Sequence, residues 1–177
     1  NLEISANLRD GSASYTLFEV VNHTRTAMGT RLLKNWIHHP LVDRSSIEER
    51  LSFVEAFYHD QRLLARVREC LASILDIERL AGRVAMERAH GKDLNAVRQS
   101  IEHFLDLEKM ITEAGLTPGF VTADDLSMLA GLQKILKDSL CEDCPVVLNE
   151  GGMIRPGWSE KLDELRGLRD NSRKVLE

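Results

Sequence analysis

The chain has 177 residues, of which 43% are apolar and 5% aromatic, with four prolines and eleven glycines. That is enough core-forming material to exclude a disordered or collagen-like chain, and it favours helices over a β-sandwich. Lys plus Arg total 23 against 28 for Asp plus Glu, a formal charge of −5, which argues against strong nucleic-acid binding by these residues alone, because that affinity comes chiefly from cations displacing counterions on phosphates.

Asn1 to Ile4 reads as a short extended piece and Asp10-Gly11-Ser12 as a turn. Residues 15–21 predict a short apolar helix, broken near Asn22-His23-Thr24. Thr24 or Thr26 then caps a second helix with the stripe Met28, Leu32, Leu33 and Trp36. Pro40 forces the chain out of it by His39. A third helix follows Asp43, with Ser46 and Glu49 as a capping box and Ile47, Leu51, Val54 and Tyr58 repeating on one face. Asp60 opens a fourth, with Leu63, Val67, Leu71 and Ile74 inward. Asp76 caps a fifth, carrying Ile77, Leu80, Ala81 and Val84.

Gly91 punctuates before a long helix from about Asp93, which carries Leu94, Val97, Ile101, Phe104, Leu105 and Ile111. Gly115 is placed just past its end, and Thr117-Pro118-Gly119 is a linker. Thr122 or Asp124 begins another helix with Leu126, Leu129, Leu132 and Leu136 inward. After Leu140 the pattern changes. Pro145-Val146-Val147-Leu148, Asn149-Glu150-Gly151-Gly152 and Met153-Ile154-Arg155-Pro156 predict a small β-hairpin near residues 146–154. Ser159 caps a last helix bearing Leu162, Leu165, Leu168, Val175 and Leu176, and its pattern is still running at Glu177. The expected fold is all-α: an irregular multi-helix bundle with a small β-hairpin and a long C-terminal helix that wants a partner.

Few residues point to chemistry. Around Gly91-Lys92 a phosphate-binding loop fails twice, because Asp93 replaces the magnesium-binding hydroxyl and Met86 the first glycine. Cys141-Glu142-Asp143-Cys144 has the spacing of half a zinc site without a second pair, although Cys70 and His103 could converge on it. His38 and His39 point about 100° apart on a helix and suit its C-terminal carbonyls better than a metal. Glu48-Glu49 and Asp124-Asp125 suit helix starts. No catalytic, cofactor-binding or metal-binding residue is assigned.

Three cysteines fit a reducing compartment. No apolar run approaches the roughly 20 residues of a membrane span. A start at Asn1 without methionine or export leader is expected of a cytoplasmic piece of something longer. One run stands out, residues 24–33. A glycine inside a helix costs up to about 1 kcal/mol relative to alanine, so Gly29 reads as a helix-crossing contact. Arg25 and Arg31 could pair with acids on a neighbouring element, or could be solvated beside a packing glycine.

Several segments together carry a resemblance. Asn1-Leu2-Glu3-Ile4, Gly11-Ser12, Thr24-Arg25-Thr26-Ala27-Met28-Gly29-Thr30-Arg31-Leu32-Leu33 and Trp36 through Pro40-Leu41 are the first of them. Ile47 to Arg50, Asp76-Ile77-Glu78-Arg79-Leu80 with Gly82-Arg83, and Asp93-Leu94 follow in order. Ile154-Arg155-Pro156-Gly157, Leu162-Asp163-Glu164-Leu165-Arg166 and Asp170-Asn171-Ser172 close the series. The chain resembles the core domain of MutS, a bacterial DNA mismatch-repair family. Trp158 stands where the family often has Tyr, and residues 116–144 match no quoted motif.

The resemblance implies a helical core over residues 1–158 and, over 159–177, the start of a lever helix leading toward a clamp domain outside the chain. It implies mechanical coupling of an ATPase domain to the DNA clamp. The mismatch-reading wedge and the Walker motifs lie outside this chain, so ATP and magnesium belong to the ATPase domain and this fragment hydrolyses nothing. Mismatched double-stranded DNA is a partner only through the full-length protein, which would be a homodimer, and no membrane is involved. Arg25, Gly29, Arg31, Trp36, Asp76 and Arg79 would have structural or interdomain roles. Rival readings are a free-standing cytosolic helical adaptor that binds a partner helix, and a metal- or thiol-dependent regulator built on Cys141 and Cys144.

Overall fold

The computed structural model describes residues 3–117, 119 and 121–176, with side chains except at Leu148 and residues 172–176. The expectations for Asn1, Leu2 and Pro118, and for Val175 and Leu176 as inward side chains, lie outside what is described. The described residues form eight α-helices: α1 (Leu17–Val21), α2 (Ala27–His38), α3 (Arg44–His59), α4 (Gln61–Ala72), α5 (Ile77–Ala85), α6 (Gly91–Glu113), α7 (Ala123–Ser139) and α8 (Glu160–Leu176).

Local chemistry sets most of the starts. Thr16, Thr26, Asp43, Asp60, Asp76, His90 and Thr122 each place a side-chain acceptor on a first-turn N–H, satisfying donors that the helix itself leaves unpaired. Thr16 shortens α1 relative to the expected 15–21, and Tyr15 takes a positive φ of 62° outside it. On α3 the Ser46–Glu49 box gives way to Asp43, whose Oδ2 accepts from both the Ser46 amide and its hydroxyl at 2.8 Å. These bonds hold the Asp43 carboxyl below the usual carboxylate range. At the end of α6, Gly115 has φ 76°. Its N–H donates to Thr112 O and that of Leu116 to Ile111 O, the paired closure that a left-handed residue permits.

α6 is the spine, packed against α7, α4 and α5. Leu63 and Val67 of α4, Ile74 and Leu107 form the buried centre, with Met28, Phe57, Ile77, Phe104 and Met110 around it. On α3 the expected stripe faces outward: Ile47, Leu51, Val54 and Tyr58 are all exposed. The helix carries a second apolar arc, and its Phe57 packs on the core while Phe53 is half-buried. A phenylalanine buries more area per residue than the aliphatic stripe offers, so that arc wins. On α7, Leu126, Leu129 and Leu136 are half-buried as expected, whereas Leu132 is exposed at the edge of an apolar cleft of about 510 Å³ between α5, α6 and α7.

The β-hairpin does not form. Among the described residues the extended pairing is a single antiparallel bridge between Leu140 and Ile154, flanked by Cys141 N–H to Met153 O at 2.9 Å and Arg155 N–H to Ser139 O at 2.8 Å. The physical reason is register. The end of α7 takes the partner that residues 145–148 were expected to have, and residues 148–150 wind into a 3₁₀ turn. Gly151 and Gly152 follow with φ of 69° and 76°.

Candidate functional site

The clearest feature is a run of polar contacts that passes from helix to helix. It starts on α2, whose entry is tied by Thr24 Oγ1 to Thr30 Oγ1 at 2.7 Å and by the Thr26 cap on the Gly29 N–H. Arg31 grips Asp76 through both nitrogens, Nη1 to Oδ2 at 2.9 Å and Nη2 to Oδ1 at 2.8 Å, and also pairs with Glu78. Asp76 is at the same time the cap of α5. The Arg31 guanidinium holds the Asp76 carboxyl below the usual carboxylate range, and Asp76 pushes the Arg31 pKa further up. A forked pair of this kind fixes orientation as well as distance.

At the other end of α5, Arg83 Nη1 lies 3.0 Å from Oδ1 of Asp93, whose side chain is buried. Asp93 Oδ2 accepts the His90 N–H at 3.1 Å, and His90 Nδ1 accepts the Asp93 N–H at 3.3 Å, a reciprocal capping box at the start of α6. Between them sits Gly91, where an added Cβ would lie 2.5 Å from Cys144 Cβ and 3.1 Å from Met153 Cγ. Cys144 is 2% exposed and donates its thiol to Cys141 O at 3.0 Å. Burial pushes that thiol's pKa up.

One turn further along α6, the buried Asn95 donates Nδ2 to Cys141 O at 2.8 Å and to Glu142 O at 3.1 Å. The Leu140–Ile154 bridge carries the run on, with Arg155 Nε donating to Leu140 O at 2.6 Å. Arg166 of α8 then donates Nη2 to Ile154 O at 2.8 Å and pairs with Asp163 at 3.0 Å. The Asp163 carboxylate accepts the Gly157 N–H at 2.6 Å. α8, the 139–157 segment, α6, α5 and α2 are thus linked in series by hydrogen bonds and, between α6 and α5, by the Arg83–Asp93 ion pair.

The residues named from sequence fall unequally on this seam. Arg31 and Asp76 meet; Arg79 contributes its backbone N–H to the Asp76 cap at 3.4 Å. Trp36 lies off it, with the Arg50 guanidinium 3.6 Å above its ring centroid, a cation–π contact between α2 and α3. Arg25 borders α4 instead. The nearest neighbours of Gly29 are Thr24 and Thr26 of its own cap, with an added Cβ 2.9 Å from Thr26 Oγ1, so it is not the close-approach glycine. That role falls to Gly91, which reads in sequence as mere punctuation. Asn95 carries no sequence signal at all. Arg83, Asp93, Arg155 and Arg166, however, all stand inside the motifs quoted above.

Nothing along the seam suits a nucleophile or a general acid–base pair. The Gly91-Lys92-Asp93 corner does not fit a nucleotide phosphate either, because Gly91 is packed on Cys144 and Asp93 is engaged by Arg83 and His90. Among the described residues no three His, Cys, Asp or Glu side chains gather as a metal would need. No helix there is long and apolar enough to cross a membrane.

The family model described as MutS domain III matches residues 1–176. The DNA mismatch repair protein MutS of Treponema denticola is 42% identical over 177 residues, which is 100% of this chain and 20% of that protein. Its counterpart in Treponema pallidum is 43% identical over 177 residues, 99% of this chain and 20% of that protein. The one from Desulforamulus reducens is 39% identical over 166 residues, 94% of this chain and 19% of that protein. The chain spans about one fifth of the length of the curated relatives it matches.

Proposed function

The chain belongs to the MutS domain III family, and from that premise we propose that it is the core of a DNA mismatch repair protein. In this reading it mechanically couples an ATPase domain to a DNA clamp. Residues 1–158 serve as the helical body and residues 159–177 as the start of the lever toward the clamp. The observation that carries this reading is the polar seam from Arg166 of α8 to Arg31 of α2. Coupling between distant sites requires packed elements with discrete arrangements that both sites bias. Hydrogen bonds to charged groups, forked at Arg31, are made or broken rather than stretched, so a displacement of α8 reaches α5 and α2 as a change of partners.

Mismatched double-stranded DNA is bound by the full-length homodimer. ATP and magnesium are held by the ATPase domain, and the 177 residues turn over no substrate. The protein acts in the cytoplasm. The net charge of −5 is consistent with phosphate contacts made elsewhere in the protein. Arg31, Asp76 and Arg79 hold structural positions where α2 meets α5, Trp36 holds one where α2 meets α3, and Arg25 and Gly29 keep a structural or interdomain role at the start of α2.

The test is Asp93→Asn in the intact protein, a near-isosteric change that removes the charge facing Arg83. Mismatch binding and ATP hydrolysis should each stay within about twofold, while ATP-driven release from mismatched duplex slows by roughly tenfold, a coupling loss in the usual allosteric range. Normal release kinetics in a variant with unchanged thermal unfolding would overturn the proposal.

A further inference from the structure

Five arginines among the described residues are half-buried: Arg50, Arg68, Arg98, Arg155 and Arg166. Four have partners. Arg50 stacks on Trp36, Arg98 pairs with Glu102, Arg155 donates to Leu140 O, and Arg166 donates to Ile154 O. Arg68 has no hydrogen bond, ion pair or ring contact among the described residues. A guanidinium that gives up part of its hydration without a replacement is held at a cost. Arg68 lines a shallow cleft of about 480 Å³ at α4, shared with the exposed Arg25 from just before α2. Arg25 is likewise without a partner among the described residues.

We propose that this cleft docks a carboxylate-bearing segment of another polypeptide, an Asp or Glu side chain with an apolar neighbour. Two guanidiniums supply the planar, forked donors that a carboxylate accepts in pairs. Leu64, Ala65 and Ala72 line the same cleft and give an adjoining apolar side chain a surface to cover. A DNA backbone fits less well. Leu64, Ala65 and Ala72 would stay uncovered beside a run of phosphates, and Glu69 leaves the cleft room for one paired carboxylate rather than for a row of anions. This assignment stands apart from the coupling seam, since neither Arg25 nor Arg68 takes part in it.

The experiment is fluorescence anisotropy on the intact protein that carries this chain, with a labelled nonapeptide of alternating glutamate and leucine as probe. The same peptide with glutamine for glutamate and a labelled oligothymidylate serve as comparison ligands. The glutamate peptide should bind saturably and the glutamine peptide at least several-fold more weakly. Arg68→Glu or Arg25→Glu should cut affinity about tenfold or more. Arg68→Lys, which keeps the charge and loses the fork, should fall between. Arg66→Glu, on the same helix and outside the cleft, should leave binding within about twofold. The proposal is overturned by an absence of saturable peptide binding, by equal loss in Arg66→Glu, or by unchanged binding in a normally melting Arg68→Glu variant. Arg68-dependent loss of oligothymidylate binding without loss of peptide binding would assign the cleft to nucleic acid instead.

Discussion

α2 and α6 begin in a similar way in sequence, with a polar cap and a glycine inside the first turn, yet the two glycines are held by different things. At α2, Thr26 caps the helix onto the Gly29 N–H, and the atoms nearest Gly29 belong to Thr24 and Thr26. At α6, His90 and Asp93 cap each other while Gly91 is buried against Cys144 and Met153, residues from far along the chain. Both positions cost helix propensity. Only at α6 does the missing side chain let side chains from a distant segment approach. The difference teaches that a glycine in a helical pattern signals crowding without saying whether the crowd is local or distant.

The contrast can be broken in order of expected effect. Gly91→Ala forces a Cβ to within 2.5 Å of Cys144 Cβ. It should lower stability by about 1–3 kcal/mol, as overpacking does, or roughly 2–10 °C in melting temperature for a chain of this size, followed by circular dichroism. Cys144→Ala should not rescue it, because the obstructing atom is the β-carbon; Cys144→Gly in the same chain should recover part of the loss. If Cys144→Ala rescues fully, the sulfur is the obstacle and the close-approach account is wrong.

Asn95→Ala removes the donor for the Cys141 and Glu142 carbonyls. A cost of about 0.5–1.5 kcal/mol is expected for the lost hydrogen bonds, since Cys141 O keeps the Cys144 thiol and Glu142 is exposed. Amide hydrogen exchange should rise selectively at residues 141–144, and a uniform rise across the chain would contradict a local latch. Gly29→Ala should change least. It gains up to about 1 kcal/mol of helix propensity and loses about as much cap, since Thr26 Oγ1 must move. A melting temperature within about 2 °C of the parent is the expected reading, and a fall as large as that of Gly91→Ala would erase the distinction between the two helix starts.

Caps were legible because their chemistry is local. Thr26, Asp43, Asp60, Asp76 and Thr122 each bond an N–H two or three residues away. Position along the chain suffices for Asp60 and Asp76, whereas the structure chose Thr26 over Thr24, Thr122 over Asp124, and Asp43 over the Ser46–Glu49 box. The buried face of α3 was not legible. Two apolar arcs compete there, and the choice of Phe57 over Ile47, Leu51, Val54 and Tyr58 is made by the shape of the core it meets. The hairpin failed for a related reason: alternation and a Gly-Gly turn describe a strand's willingness to pair, not which partner reaches it first.

By itself the sequence determined that this protein is a chain of capped helices, where those helices start, and which short segments place it beside its family, because each of these depends on neighbours a few residues apart. Only the tertiary structure decided that Arg31 meets Asp76 across 45 positions, that Gly91 rather than Gly29 makes room for a distant segment, and that Asn95 holds the 141–142 carbonyls. Those contacts depend on how helices cross and on which groups lose their water together. Both are properties of the packed whole, and no window of the sequence contains them.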